Sequence, residues 1–302
     1  MTNNYNGIVN VYKGKDFTSF DVVAKLRGIF GQRKIGHTGT LDPDATGVLP
    51  ICLGNGTKVV ELLMDHDKEY VAELLLGVKT DTLDIGGEVL EKRDASGITE
   101  EQVRDVIKNF IGEIDQVPPM YSAIKVNGQK LCNLARKGQV VEREARKVTV
   151  HEIEILDIKL PVIKMRVHCS KGTYIRTLCD DIGEKLGCGG CMQSLERTRV
   201  GIFGKEDALT LDEIQKLKDE DRLSEIVRPV DGLFEEYPKM VVTEEALKKL
   251  ENGNVLADDD YVNCNAVKVQ SCVRVYRPDM TFAGIYKKDP ETNLYKPEKM
   301  FL

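Results

Sequence analysis

Residues 148 to 169 carry the pattern that most restricts the fold. Val148 to Ile158 and Val162 to Cys169 alternate apolar and polar side chains, and only a short turn at Pro161 separates them. Successive side chains of a strand point to opposite faces, so each segment buries one face, and so short a connection pairs them antiparallel. Elsewhere strands and helices mix without a regular strand–helix–strand rhythm. Ile8 to Tyr12, Glu69 to Leu76 and Met192 to Val200 read as strands. Thr18-Ser-Phe-Asp21 and Thr99-Glu-Glu-Gln102 have capping-box spacing ahead of helices reaching Phe30 and Phe110, and Thr173 to Leu186 reads as a helix stopped by Gly187. The predicted class is α+β, a mainly antiparallel mixed sheet flanked by helices, rather than a doubly wound fold.

A chain of 302 residues is long enough for about two domains. Periodicity is lost from Arg228 to Pro238, which predicts a larger domain over 1–235 and a small β-rich one over 236–302. The smaller is expected to hold a helix at Thr243 to Leu250 and strands near Val267 to Tyr276 and Phe282 to Tyr286. Inside the larger, Pro118-Pro119, Asn127-Gly128 and Gly138 break the pattern, so about 117–147 reads as a long, basic, mobile excursion. No apolar run nears the roughly 18 residues of a membrane span, and Met1 to Gly7 has no export-signal character. The expectation is a soluble cytoplasmic protein whose eight cysteines are reduced. Cys188 and Cys191 make the one C-x-x-C pair; a four-thiolate zinc site needs a second, so incidental thiols are the favoured reading.

Lys and Arg total 43 against 49 Asp and Glu, a balance that argues mildly against nucleic acid. Distribution matters more than the total. Lys125, Lys130, Arg136, Lys137, Arg143, Arg146 and Lys147 face only Glu142 and Glu144 between 125 and 147, which suits an anion-binding face.

The densest segment is Gly36-His-Thr-Gly-Thr-Leu-Asp-Pro-Asp-Ala-Thr-Gly-Val-Leu-Pro50. Its glycines and prolines force sharp turns around His37, Asp42 and Asp44, and Pro43 keeps Asp42 out of the helical region. On composition this is either a well-ordered capped turn or a carboxylate presented beside donors for nucleophilic or acid–base work. Asp42-Pro-Asp-Ala-Thr46 also satisfies the D-x-D-x-T spacing of magnesium-dependent aspartyl-phosphate hydrolases. That chemistry needs its first Asp at the end of a buried apolar strand, and Ile35 to Leu41 is too polar for one. Gly54-Asn-Gly-Thr-Lys58 lacks phosphate-loop spacing.

The Gly36–Pro50 string closely resembles the catalytic motif of the TruB family of tRNA pseudouridine synthases. Further matches follow in order at Lys68-Glu-Tyr70, Lys79-Thr-Asp-Thr82, Val117 to Lys125, Arg143-Glu-Ala-Arg146 and Cys169 to Leu178, so the resemblance spans about residues 7 to 205. It implies a pseudouridine synthase fold with a PUA-like C-terminal domain that contacts RNA. It also implies isomerisation of the T-loop uridine at tRNA position 55, without cofactor or metal. The implied partner is the tRNA T-arm, with neither DNA nor membrane, and the default state is a monomer.

Carried over residue by residue, the resemblance makes Asp42 the catalytic aspartate, Tyr70 the tyrosine that packs on the target base, and Arg176 the arginine paired with Asp42. His37 resembles the histidine that enters the T-loop while the nucleotide is flipped, and Tyr174 and Leu195 match positions contacting the extruded base. Taken singly, Tyr70, Tyr174 and Leu195 read as packed core residues, Arg176 as a surface ion-pair member and His37 as a turn histidine; the joint pattern overrides these readings. Two departures stand out. Glu196 occupies a position where the family often has Arg, which is expected to weaken a phosphate contact, and Gly54 to Lys58 replaces an alanine-containing version.

Overall fold

The computed structural model describes residues 5–126, 128–262 and 271–302. Its first part runs β1 (Gly7–Lys13), α1 (Ser19–Phe30), β2 (Ile35–His37), β3 (Thr46–Leu53), α2 (Val60–Asp65) and β4 (Lys68–Leu76). Next come the hairpin β5 (Val78–Thr80) and β6 (Val89–Lys92), then α3 (Glu100–Lys108) and β7 (Gly112–Gln116). A second hairpin, β8 (Lys125–Val126) and β9 (Gln129–Lys130), leads through α4 (Leu131–Ala135) to β10 (Arg146–Lys159) and β11 (Val162–Cys169). After them lie α5 (Ile175–Lys185), β12 (Gly190–Val200), β13 (Phe203–Gly204) and α6 (Leu211–Asp219). The chain finishes with β14 (Lys239–Val241), α7 (Leu247–Glu251), β15 (Cys272–Tyr276), β16 (Phe282–Lys288) and β17 (Tyr295–Met300).

The nine-stranded main sheet has the order β1-β3-β12-β4-β11-β10-β7, with β2 on β3 and β13 on β12. Its pairings are antiparallel except β3 with β12, which run parallel where Thr46 and Gly47 meet Glu196 and Arg197. The α+β class read from the sequence is the one found. The alternating segment at 148–169 forms the β10–β11 pair, with Lys159 opposite Val162. Central β4 buries Ala72, Leu74 and Leu76 under Leu178, Cys179 and Ile182 of α5 and Val103 and Ile107 of α3. Each large aliphatic side chain so buried contributes about 1.5–3 kcal/mol. A second cluster packs Val22, Leu26 and Phe30 of α1 and Ile214 of α6 against β1 and β3.

Both predicted capping boxes form, with the Thr18 and Thr99 hydroxyls accepting from the Asp21 and Gln102 amides. Helix α5 starts two residues later than its sequence pattern predicts. The Thr173 hydroxyl donates back to the Ser170 carbonyl at 3.0 Å. The Gln116 amide grips the Tyr174 backbone at 3.1 and 2.8 Å, leaving that residue extended.

Residues 117–147 are more organised than the predicted excursion. β8, β9 and α4 close over a small apolar cluster of Met120, Leu131 and Leu134, with Tyr121, Ile124 and Val141 packed against it. In the C-terminal part the four strands run β14-β15-β16-β17. The helix expected at Thr243 to Leu250 shrinks to α7, because Thr243 first forms a turn in which its hydroxyl accepts from the Ala246 amide at 3.3 Å. Within the strand expected near Val267 to Tyr276, residues 267–270 lie outside the described ones. Polar β17 escaped prediction because Tyr295-Lys-Pro-Glu-Lys-Met300 lacks an alternating apolar face.

This second sheet has its own core, including Val273, Val275, Tyr286 and Tyr295. It also shares a cluster with the main sheet, in which Phe234, Ile285 and Phe301 meet Ile8, Val48 and Phe203. The Asn55 amide donates to the Phe301 carbonyl at 2.9 Å, and Lys58 Nζ donates to Leu302 O at 3.0 Å. The Gly54–Lys58 departure therefore has a structural use as a tie between the two sheets. Among the described residues no helix is long and apolar enough to cross a membrane.

Candidate active site

The polar turn between β2 and β3 presents Asp42, and buried groups pin it from three sides. Fully buried Lys13, the last residue of β1, donates from Nζ to the carbonyls of Gly14, Phe17 and Pro43 at 3.0, 2.7 and 3.0 Å. The Leu41 amide donates to Ser19 Oγ at 2.9 Å. The Thr38 amide and hydroxyl both donate to the Pro50 carbonyl at 3.2 Å. Gly47 then enters β3 with φ +113°, where a Cβ would lie 2.1 Å from the Arg197 carbonyl oxygen. Only glycine permits so close an approach of β3 to β12. Burial pushes the Lys13 ammonium down to about 8, opposed by the negative charges of Asp42 and Asp44.

Arg176, in the first turn of α5 and 6% exposed, reaches Asp42 with two nitrogens. Nε lies 3.0 Å from Oδ2 and Nη2 donates to Oδ1 at 3.4 Å, a two-point grip on the carboxylate. The guanidinium is fixed in turn by the Thr82 carbonyl at 3.1 Å and the Tyr121 carbonyl at 2.7 Å, with Asp84 Oδ2 3.6 Å from Nη1. Thr82 and Asp84 come from the β5–β6 connection, and Tyr121 from the 117–147 segment. Burial raises the pKa of Asp42; Arg176 is the largest opposing influence, while the charge of Asp84 adds to the rise.

Tyr70 of β4 stands opposite Arg197 of β12, and the Arg197 charge acts on its phenol. Arg197 is 1% exposed and donates from Nε to the Val48 carbonyl at 2.7 Å and from Nη2 to the Gly39 carbonyl at 3.4 Å. One buried cation of β12 thus ties the polar turn to β3. Burial raises the phenol of Tyr70 and, separately, that of Tyr174, so both stay protonated near neutral pH. His37 closes β2 beside Ile51. Burial lowers its pKa, and its Nδ1 accepts from the Gly39 amide at 3.3 Å, which leaves the proton on Nε2 of the neutral ring.

Asp42, Tyr70, Tyr174 and Arg176 therefore share one electrostatic environment, and His37 joins it through Arg197. Leu195 sits opposite Ala72, two residues before Arg197, half-buried against the apolar core. Lys13, Asp84 and Arg197 were not singled out from the sequence. Asp84 follows the Lys79–Thr82 match by two residues, and Arg197 lies inside the Leu195–Gly201 strand, yet neither spacing announces an ion buried at the site. Glu196 is engaged locally, accepting from the Tyr12 hydroxyl and from Lys205 Nζ, each at 2.6 Å.

The aspartyl-phosphate alternative fails on chain order. Asp42 precedes strand β3 instead of ending a strand, and its carboxylate faces a guanidinium. On the neighbouring 117–147 segment an open groove of about 740 Å³ is lined by Lys125, Lys130, Arg136 and Lys137 among others.

Residues 27–175 match the family model for the TruB family pseudouridylate synthase N-terminal domain. Residues 176–235 match that for the tRNA pseudouridylate synthase B C-terminal domain. The chain is 53% identical to the tRNA pseudouridine synthase B of Lachnoclostridium phytofermentans, covering 98% of this chain and 100% of the relative. It is 48% identical to that of Clostridium tetani, covering 95% and 96%. A chain in the crystal structure of the archaeal box H/ACA sRNP Nop10–Cbf5 complex superposes with TM-score 0.70 at 28% identity, covering 99% of this chain and 87% of that one. A chain of an H/ACA RNP bound to a substrate RNA containing 2'-deoxyuridine gives TM-score 0.71 at 26% identity, covering 99% and 90%. With a polar turn, a paired aspartate and arginine and nearly full-length likeness all in agreement, the chain belongs to the TruB family of pseudouridine synthases.

Proposed function

We propose that this chain, an isomerase of tRNA uridines by its family, converts the T-loop uridine at position 55 to pseudouridine with Asp42 as the catalytic carboxylate. The reaction breaks the bond from N1 of uracil to C1′ of the ribose and joins C5 to C1′. The C5 proton is then lost and N1 gains one, so atoms balance without a cofactor. Whether Asp42 attacks sugar or base, or stabilises positive charge during cleavage, it has to be ionised. The observation that carries the reading is the two-point grip of Arg176 on Asp42 at 3.0 and 3.4 Å. As substrate excludes water, that guanidinium opposes the upward push of burial and fixes the direction of the carboxylate.

A stacked uridine hides its glycosidic bond, so the nucleotide has to leave the stack. In this reading Tyr70 packs on the extruded uracil, and Tyr174 and Leu195 flank it. The neutral imidazole of His37 enters the T-loop as a flat surface with an Nε2–H donor. The Lys125–Lys137 groove holds T-arm phosphates, residues 1–235 form the catalytic domain and 236–302 a PUA-like RNA-contacting one. The protein acts as a monomer in the cytoplasm. Incubating the chain with unmodified tRNA and mapping pseudouridine by site-specific chemistry tests the reading. Pseudouridine at position 55 is the expected result; none there, or the modification elsewhere, refutes it.

A further inference from the structure

Three side chains away from the Asp42 site converge without serving it. Asp67, immediately before β4, His151 of β10 and His168 of β11 place ligand atoms within 4.8 Å of one another. The Nε2 atoms of the two histidines lie 3.2 and 4.0 Å from Asp67 Oδ2, and their rings are 4.8 Å apart. Local backbone geometry makes the convergence. β10 and β11 have a register shift between Val150 and Glu152, so Val150 and Ile153 point inward while His151 and Glu152 both remain outside. A bulge of this kind re-aims one side chain, here setting His151 beside its cross-strand neighbour His168. Without it, alternation continued from Val150 would turn Glu152 toward the core and Ile153 outward.

The surroundings leave these groups available. Lys171 is engaged with Asp65 at 2.8 Å, and Lys68 Nζ donates to the carbonyls of Met64 and His66 at 2.5 Å each. Among the described residues, the groups that pair with Asp67 are the two histidines themselves. Glu152 is opposite His168 on β10, and Glu69, opposite it on β4, is ion-paired with Arg199 at 3.3 Å. All three candidate ligands are partly exposed, between 31% and 46% of the side chain, which gives an entry path and a solvent-facing position.

We propose that Asp67, His151 and His168 form a binding site for a first-row divalent metal ion, with zinc as the reference ion and solvent completing the coordination. Two imidazoles and one carboxylate, with an open position, are a donor set that zinc accepts. Tetrahedral bonds of about 2.0–2.2 Å place ligand atoms about 3.3–3.6 Å apart. The His151–Asp67 separation of 3.2 Å is within about 0.1 Å of this range, and small rotations of the exposed side chains bring all three distances into it. A bound ion would fasten the β10–β11 pair to the entry of β4, the strand that carries Tyr70 three residues on.

The test is equilibrium dialysis of the full chain against zinc chloride alone, under reducing conditions, in parallel with His151→Ala, His168→Ala and Asp67→Asn. One ion per chain is expected, with affinity falling at least tenfold in each variant. Because the thiols are the same in all four proteins, cysteine binding cancels in the comparison. As a check that needs no substitution, cobalt(II) should shift and broaden the ring resonances of His151 and His168 in the unaltered protein more than those of His37. Zinc affinity and stoichiometry unchanged in a folded His151→Ala/His168→Ala double variant would overturn the site. So would cobalt effects absent from those two rings; the trio would then be an ordinary surface ion pair.

Discussion

Arg176 offers the sharpest test of the proposed chemistry, because its charge and its shape can be removed separately. Its guanidinium holds Asp42 at two points, 3.0 and 3.4 Å, and donates to the Thr82 and Tyr121 carbonyls at 3.1 and 2.7 Å. Lysine keeps the charge but has one nitrogen on a flexible stem. It can restore one bond to Asp42 and at best one to a carbonyl, so two hydrogen bonds from a charged donor disappear. At about 1.5 kcal/mol each, the deficit is about 3 kcal/mol, equivalent to roughly a hundredfold in rate if it falls on the positioning of the carboxylate. Methionine removes the charge as well and leaves Asp42 and Asp84 without their shared cation. Arg176 is buried but the Asp42 side chain is 38% exposed, so the loss falls below the about 3–5 kcal/mol of a fully buried pair, and Arg176→Met should lose some stability along with more of the rate.

The two variants also differ in pH dependence. Burial raises the Asp42 pKa and Arg176 is the main influence lowering it. A carboxylate that has to be ionised gives a rate that falls as pH drops through that pKa. Deleting the guanidinium removes the lowering influence, so the acid limb moves to higher pH in Arg176→Met and less so in Arg176→Lys. The assay is single-turnover release of tritium from C5-labelled uridine in a T-arm RNA, at saturating enzyme, across the acid range. If Arg176→Lys reacts at the unaltered rate with the same acid limb, the two-point grip is not what activates Asp42, and the reasoning fails.

Three further outcomes follow from the same geometry. Asp42→Asn should keep cooperative unfolding and tRNA affinity while single-turnover rate falls at least ~10³-fold; substantial residual turnover removes Asp42 from the chemistry. Replacing Lys130, Arg136 and Lys137 with neutral residues should flatten log K against log salt by about 0.7–0.9 for each phosphate no longer neutralised, and an unchanged slope would make the groove they line a merely solvated surface. Gly47→Ala puts a Cβ 2.1 Å from the Arg197 carbonyl at a φ of +113°, so chemical denaturation should show a loss of at least ~3 kcal/mol; near-native stability would contradict the β3–β12 approach.

Which parts of this molecule are legible in its sequence depends on the range of the physics involved. The capping boxes at Thr18 and Thr99 and the alternation of 148–169 act over a few residues, and each forms as read. The turn around Asp42 is legible for the same reason, since glycine and proline announce sharp backbone direction locally. Residues 117–147 mislead because Pro118-Pro119 and Gly138 suggest an unsupported loop. The small cluster of Met120, Leu131 and Leu134 appears only when the hairpin and α4 fold together.

The buried cations are illegible for a deeper reason. Lys and Arg are almost never fully buried unless their charges find partners, so no single-residue rule places Lys13 or Arg197 inside. Lys13 is tolerated because three carbonyls converge on its Nζ, and Arg197 because the Val48 and Gly39 carbonyls receive its N–H groups. Those partners come from strands and turns up to 158 residues away in the chain. The same long-range assembly fixes Arg176, whose acceptors belong to three separate loops. A local motif can therefore point to Asp42, but the cations around it, Arg176 and Lys13 beside the carboxylate and Arg197 behind the turn, are held by partners that only the folded sheet and α5 bring together. In this protein the main sheet is part of the electrostatics of the site, and a substitution such as Gly47→Ala, with no ionisable group of its own, should disturb the chemistry by displacing Arg197.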